Sequence, residues 1–463
     1  MSLHVIILAA GKGSRMKSDI PKVLHKVAGM PMLHRVLSTA KLLAPEQIHL
    51  VLGHGIQAIQ DTLANQWSAA NIVRQAEQLG TGHAVNIALD HVPDDGISLV
   101  LYGDVPLITA ETLEHCVAIA RAGELGIVTA NMSDPAWLGR ILRNETDSIE
   151  AIVEHKDATQ QQRAIHEINS GILAAPTHLL RSWLAEVQPS NQQGEYYLTD
   201  VVALAVHDGV SVQGIVVDDA NEVIGVNDRV QLSQVERILQ RRQADELMRQ
   251  GVTFADPERV DIRGTLSCGT DCFIDVNTVF IGDVHLASGV VIGPSVVIES
   301  SQLGAGAQVK ANTVIEGAMI AEGCQLGPFA RIRPGSQFAS GVKIGNFVET
   351  KKTTMGAGSK ASHLAYLGDA VIGMDVNVGA GSVTCNYDGV DKHPTIIGDG
   401  AFVGTNSTLV APLTIGAQSF VAAGSTVTAD VEEHTLALGR VKQRNIARWL
   451  SPLKRKQKKS PDY

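Results

Sequence analysis

Aromatic residues are scarce in this chain, at 4% of 463 residues, although 44% of positions are hydrophobic and 44 are glycine. So little aromatic volume suits a narrow interior lined by Ile, Val and Leu. Positive charge is also short: the formal net charge is −10, which argues against a general nucleic-acid binder. The exception is a terminal basic run, Lys454-Arg455-Lys456-Gln457-Lys458-Lys459, which reads as a solvated end. Cysteine is sparse. Five residues at 116, 268, 272, 324 and 385 form no disulfide framework, and no second pair completes a zinc site with Cys268 and Cys272. No apolar run reaches the length of about 18 residues that a membrane span requires. The apolar start, Met1 to Ala10, lacks the basic flank of a signal peptide. A reducing, cytoplasmic location is expected.

What is present is a repeat. Ile274, Phe280, Leu286, Ile292 and Ile298 stand six apart, as do Ile320, Leu326, Ile332, Phe338, Ile344 and Thr350, and Ile397, Val403, Leu409, Ile415, Val421 and Val427. Gly often follows the apolar position, as in Ile292-Gly293, Ile344-Gly345 and Val403-Gly404. This period matches neither a helix face nor an alternating strand. It predicts short strands wound into a triangular prism, with the apolar residue inward and Gly easing the corner. About eight or nine coils follow from Ile274 to Val427, with five-residue slips such as Thr350 to Met355 at corners. The polar stretch Cys385–His393 resists the repeat and is expected to leave the column as a loop.

The first 229 residues read differently. Apolar runs at His4–Ala9, Ile48–Leu52 and Ile97–Tyr102 alternate with helical spacing such as Leu33–Ala44. That alternation predicts an α/β unit with a parallel sheet, helices on both faces and ligands at the carboxyl ends of the strands. The division expected is therefore 1–229, a connector helix over 230–250, and a hexapeptide column over 251–463.

Chemistry gathers at strand ends. After the first strand comes Leu8-Ala9-Ala10-Gly11-Lys12-Gly13-Ser14-Arg15, whose glycines let the backbone approach a phosphate beside the cations of Lys12 and Arg15. Neither a P-loop nor a dinucleotide fingerprint is complete here. Pro21-Lys22 adds a third cation. Asp104, in Tyr102-Gly103-Asp104, ends an apolar strand and is placed to hold Mg²⁺. On the column, Arg331, Arg333, Lys351, Lys352, His363, Tyr366 and Asn377 recur at roughly coil spacing and are expected to stack along one outer face. Two cations suit a sugar phosphate, and a nearby His can take a proton near neutral pH.

The glycine loop and Lys22 resemble those of nucleotidyltransferases that join a sugar phosphate to a nucleoside triphosphate. The resemblance extends through Gln75, Gly80 and Thr81, which match the part that reads uracil. It continues through Gly139-Arg140, Glu154, Asn169, the stretch Gly194–Asp200, and Asn227 as a second metal ligand beside Asp104. The repeat resembles the left-handed β-helix of hexapeptide acyltransferases. In this order of parts, the whole chain is similar to the family of bifunctional bacterial N-acetylglucosamine-1-phosphate uridyltransferases/glucosamine-1-phosphate acetyltransferases.

That resemblance implies a homotrimer with acetyl transfer at a site shared between subunits. It implies UTP, glucosamine-1-phosphate, N-acetylglucosamine-1-phosphate and acetyl-CoA as substrates, and Mg²⁺ as cofactor. Lys22 and Arg15 would act at the nucleotide, with Leu8, Ala9, Ala10, Gly11, Tyr102 and Gly103 lining its site. His363 would be the general base. Arg333, Lys351, Tyr366 and Asn377 would hold the sugar phosphate, and Ala380, Asn386, Tyr387, Thr405, Ala423 and Arg440 the acetyl-CoA. Two departures stand out: Thr405 replaces the usual Ser, and Trp137-Leu138 precedes Gly139-Arg140 where the family has Gly-Tyr. The competing reading is a single-activity pyrophosphorylase whose column serves only trimerisation or regulation.

Overall fold

The computed structural model describes residues 1–63, 67 and 69–457. They fall into two compact units, Met1–Leu247 with Pro257–Thr265, and Met248–Asp256 with Leu266–Tyr463. Of the basic run, residues 458 and 459 lie outside the described part; Pro452–Gln457 forms a short helix.

Nine strands of the first unit share one sheet: β1 (Leu3–Ala9), β2 (Gln47–Leu52), β3 (Asn71–Arg74), β4 (Ile97–Tyr102), β5 (Leu125–Asn131), β6 (Arg140–Arg143), β7 (Ile149–Val153), β8 (Glu167–Pro176) and β9 (Val212–Val216). Along β1 the side chains alternate between two cores. Val5, Ile7 and Ala9 join one with Leu33, Val36 and Leu37 of the helix Met32–Leu42. Ile6 and Leu8 join the other with Val85, Ala88 and Leu89 of the helix Thr81–Leu89. Burial on both faces explains why β1 is a continuous apolar run.

The sheet is mixed, not parallel as expected. The order is β9-β5-β8-β4-β1-β2-β3, and β8 runs antiparallel to both β4 and β5. The chain reaches β8 from the β6–β7 hairpin without a crossover helix packed on the sheet, so it returns in the opposite sense.

The connector helix spans Arg229–Arg249. Val235 packs with Val27, Met32, Leu107 and Val226, so this part of the helix lies on the first unit and is not a free strut. The Gln240 amide bonds both ways with Ile262, donating to its carbonyl at 2.9 Å and accepting from its N–H at 2.7 Å. This return contact groups Pro257–Thr265 with the first unit, whereas the repeat alone assigns everything after 251 to the second.

The second unit is the hexapeptide left-handed β-helix. Its short strands pair in parallel, coil on coil, in an 11-stranded and a 17-stranded sheet. One inward position shows the winding: Ile274 pairs with Ile292, Ile292 with Val309, Val309 with Leu326, Leu326 with Ile344 and Ile344 with Ala361. Phe254 before and Ala437 after extend this stack beyond the expected coils. The hexad residues are buried as predicted, Thr350 included.

Some glycines that follow the apolar position serve a different purpose from the one expected. A Cβ on Gly345 would sit 1.9 Å from the Ser362 carbonyl oxygen, so the residue is needed for close approach of the next coil. The left-handed corner positions are shared between non-glycine residues such as Asn277, Asn312, Phe347, Leu364 and Asn406 and glycines such as Gly306, Gly341, Gly381 and Gly424, so Gly eases some corners as expected.

Candidate active sites

In the first unit, the carboxyl ends of β1 and β4 open into a cavity of ≈ 240 Å³. Leu8, Ala9, Ala10 and Gly11 form one wall, Gln75, Gly80 and Thr81 another, and Tyr102, Asp104 and Lys22 the floor. Gly103, between Tyr102 and Asp104, donates its N–H to the Leu8 carbonyl at 3.0 Å, which ties β4 to the glycine loop. Gly80 has φ +117°, and a Cβ there would meet the Tyr196 carbonyl oxygen at 2.5 Å; Gly is required. Gln75 is buried and donates to the Gly80 carbonyl at 3.2 Å. Glu195, within the expected stretch Gly194–Asp200, also lines the cavity, as does Gln78, which was not given a role from the sequence.

Three distant residues converge at the floor. The Lys22 ammonium donates to the Asp104 carboxylate, and to the Asn227 amide oxygen at 3.2 Å. The Val226 N–H donates to the Asp104 carbonyl at 2.9 Å and holds the Asn227 segment against the end of β4. Two hard oxygens thus face one cationic centre, which is a donor set Mg²⁺ accepts. Among the described residues no cluster of three or more His, Cys, Asp or Glu could hold a metal ion. A cation here would take most of its ligands from phosphate and water.

Gly139, Glu154 and Asn169 form a neighbouring cluster. Asn169 N–H donates to the Gly139 carbonyl at 2.9 Å, and a Cβ on Gly139 would stand 3.4 Å from the Glu154 carboxylate. Tyr102 links the two clusters: it lines the cavity, and the charges of Glu154 and Asp104 both act on its phenol. Burial, then Glu154 and Asp104, push the Tyr102 phenol above its ordinary value, so it stays neutral. Burial also raises the Glu154 carboxyl, opposed by the Thr199 hydroxyl.

Arg15 is not brought into the cavity. It lies exposed on the turn Ser14–Met16. The departure at Trp137 is outward too: the indole is 78% exposed and edge-on to His155 at 4.7 Å. Arg140 is buried and donates to the carbonyls of Ala136, Leu138 and Arg163, fixing this loop.

On the β-helix, the expected single face divides at a corner. Arg333, Lys351 and Tyr366 follow the face built from Arg331–Ile332, Glu349–Lys351 and Tyr366–Gly368. Arg333 donates to Glu349 at 2.8 Å, and Tyr366 lies over Gly368. Lys392 joins this group. Its ammonium, then burial, then Arg333 lower the Lys351 pKa, with Asp369 opposing. Lys392 comes from the loop and was not predicted. Asn377 instead stands on the 11-stranded sheet, between Lys360 and Phe402.

His363 sits at that corner, exposed, at the end of the strand Lys360–His363. The predicted acetyl-CoA residues Ala380, Thr405 and Ala423 climb the same corner, each one position before the left-handed or glycine residue. Leu364 N–H donates to the Asn346 carbonyl, Asn406 N–H to that of Ala380, and Gly424 N–H to that of Thr405. Arg440 donates to the Ala423 carbonyl at 2.8 Å. Asn386 is buried and bonded to Asp369, so the loop leaves the column only at Tyr387. It is an ordered hairpin, with Tyr387 bridged to Lys392.

The fold and these sites define a nucleotidyltransferase joined to a hexapeptide-repeat acyltransferase. A model of the MobA-like NTP transferase domain matches residues 5–192. The chain is 54% identical to the bifunctional protein GlmU of Marinobacter nauticus over 98% of its length and 99% of the relative's. It is 51% identical to the GlmU proteins of Alkalilimnicola ehrlichii, covering 97% of each chain, and of Acinetobacter baumannii, covering 98% and 100%. The chain belongs to the GlmU family of bifunctional proteins. It is a bifunctional acetyltransferase and uridyltransferase, and the single-activity reading is set aside.

Proposed function

We propose that the cavity below the glycine loop transfers uridylyl from UTP to N-acetylglucosamine-1-phosphate, and that the His363 corner transfers acetyl from acetyl-CoA to glucosamine-1-phosphate. The observation that carries the first assignment is the convergence of Lys22, Asp104 and Asn227. The second rests on His363 sharing one corner with Ala380, Thr405 and Ala423, beside Arg333 and Lys351 on the adjoining face.

At the corner, His363 Nε2 takes a proton from the hexosamine ammonium, freeing its lone pair. The freed amine forms the new N–C bond at the thioester carbonyl, the C–S bond breaks, and the nitrogen's second proton goes to the departing CoA sulfur, which leaves as the thiol. Arg333, Lys351 and Lys392 neutralise the sugar phosphate. In the cavity, the product's phosphate oxygen attacks the α-phosphorus of UTP and the α–β bridge breaks, releasing pyrophosphate. Two anions must meet, so charge screening dominates. The amides after Leu8 and the Lys22 ammonium supply part of it. Mg²⁺ held by Asp104 and Asn227 would supply further screening at the phosphates. Gln75 and Thr81 border the base, while Gly139, Glu154 and Asn169 border the sugar.

The uridylyl activity is assigned to residues 1–229 and the acetyl activity to 251–463, with the connector helix over 230–250 between them in the chain. A homotrimer is supported by apolar surface on the column, where Phe329 and Phe347 stack at 5.4 Å and are both exposed. Asn377, on a different face from Arg333, suits a site completed by a second copy. The five free thiols fit a cytoplasmic protein; no helix among the described residues is long and apolar enough to cross a membrane. The test is a pair of assays on one preparation. Thiol must be released from acetyl-CoA with glucosamine-1-phosphate, and pyrophosphate from UTP with N-acetylglucosamine-1-phosphate; absence of either rejects the corresponding site.

A further inference from the structure

We propose that Asn346 is a positioning residue for acetyl transfer, setting the tautomer of His363. The inference rests on reading His363 as the base. Asn346 lies one coil before His363 in direct strand register, and its Oδ1 is 2.6 Å from His363 Nδ1. An amide oxygen can only accept, so Nδ1 carries the proton and the neutral ring presents its lone pair on Nε2. The amide nitrogen in that place would do the reverse and leave Nε2 protonated, unable to accept from an amine. The hydrogen bond also fixes the plane of an otherwise exposed ring.

Position 346 matters because it lies one coil before His363 on the corner series that continues through Ala380 and Thr405. The coil that precedes the base therefore aims it, while the coils that follow border the thioester. A neutral amide suits this task. It orients the ring without the charge that a carboxylate would add, and a carboxylate beside imidazole favours the protonated form. The charged groups on the strand itself and on the strands paired with it are Lys360 and Lys343, both cations; Asn377 on the next coil is neutral. An aspartate at 346 would thus place the first anion on these strands.

The experiment compares Asn346→Ala, Asn346→Asp and His363→Ala in the full-length protein, with pyrophosphate release as the control for folding. Asn346→Ala is expected to lower the acetyl-transfer kcat about 10- to 100-fold, part of what a general base supplies, with KM for both substrates nearly unchanged. Asn346→Asp should retain more activity but move the acid limb of the kcat/KM profile up by about one pH unit. It is isosteric and carries the test alone should the alanine variant not fold. A wild-type kcat and pH profile in the Asn346 variants, with His363→Ala inactive, overturns the positioning role. A rise in KM without a fall in kcat also overturns it. Acetyl transfer surviving in His363→Ala instead overturns the reading of the base itself.

Discussion

The two units build a site in opposite ways. In the first, Lys22 is separated from Asp104 by 82 residues and from Asn227 by 205, and the three meet only because a sheet gathers its strand ends. In the second, Asn346, His363, Ala380, Thr405 and Ala423 are successive turns of one corner, and each is placed by the coil below it. Convergence makes a cavity whose walls come from strand ends far apart in the chain. Translation makes a shallow site along an edge, whose geometry depends on every coil stacking at the same pitch.

The largest effects should separate the two regions cleanly. His363→Ala is expected to lower thiol release by roughly 10²- to 10⁴-fold while leaving pyrophosphate release intact. Asp104→Ala is expected to do the reverse, with a loss of about 10³-fold. Gly345→Ala tests dependence on pitch. Its Cβ would lie 1.9 Å from the Ser362 oxygen, so one coil must shift beside His363. A destabilisation of about 3 kcal/mol, the upper end for overpacking, should appear in thermal unfolding together with lost acetyl transfer, and uridylyl transfer should persist.

A smaller effect concerns acid. Burial, then His4 and His91, hold the His49 imidazole down to about 4. His49 stacks with His4 at 5.5 Å and with His91 at 6.4 Å. A depressed histidine is neutral in the folded protein and protonates more readily once unfolded. Stability is therefore full above about 6.5 and falls as pH drops toward 4, by on the order of 2 kcal/mol. His49→Gln should flatten that slope in denaturant titrations of the first unit's unfolding. The smallest change is Thr405→Ser: the position contributes through its backbone to the corner, so acetyl transfer should stay within about twofold.

The contrast also decides what could be read in advance. Hexad positions such as Leu326 and Ile344 are legible because each buried residue repeats at a fixed interval, with no knowledge of the fold required. Strand β1 is legible because burial on both faces makes it uniformly apolar. The antiparallel course of β8 was hidden, since direction leaves no mark on apolar pattern. Lys392 was missed because its approach to Lys351 depends on how the hairpin after Tyr387 folds back. Asn346 was within reach, since it precedes His363 by 17 residues, one coil step. A neutral amide carries no charge to mark it, and so it stayed unnoticed one turn below the base. Asp104 was assigned from residue type at a strand end and Lys22 as a further cation after the glycine loop, and their contact came only from the fold.

The most direct test of two self-sufficient sites mixes the inactive halves. Asp104→Ala and His363→Ala proteins, each alone, should make only traces of UDP-N-acetylglucosamine from glucosamine-1-phosphate, acetyl-CoA and UTP. Combined, they should restore its formation, because the acetylated intermediate can pass from one protein to the other. No more than traces from the mixture, with both proteins folded, would contradict the assignment of separate activities to the cavity and the corner.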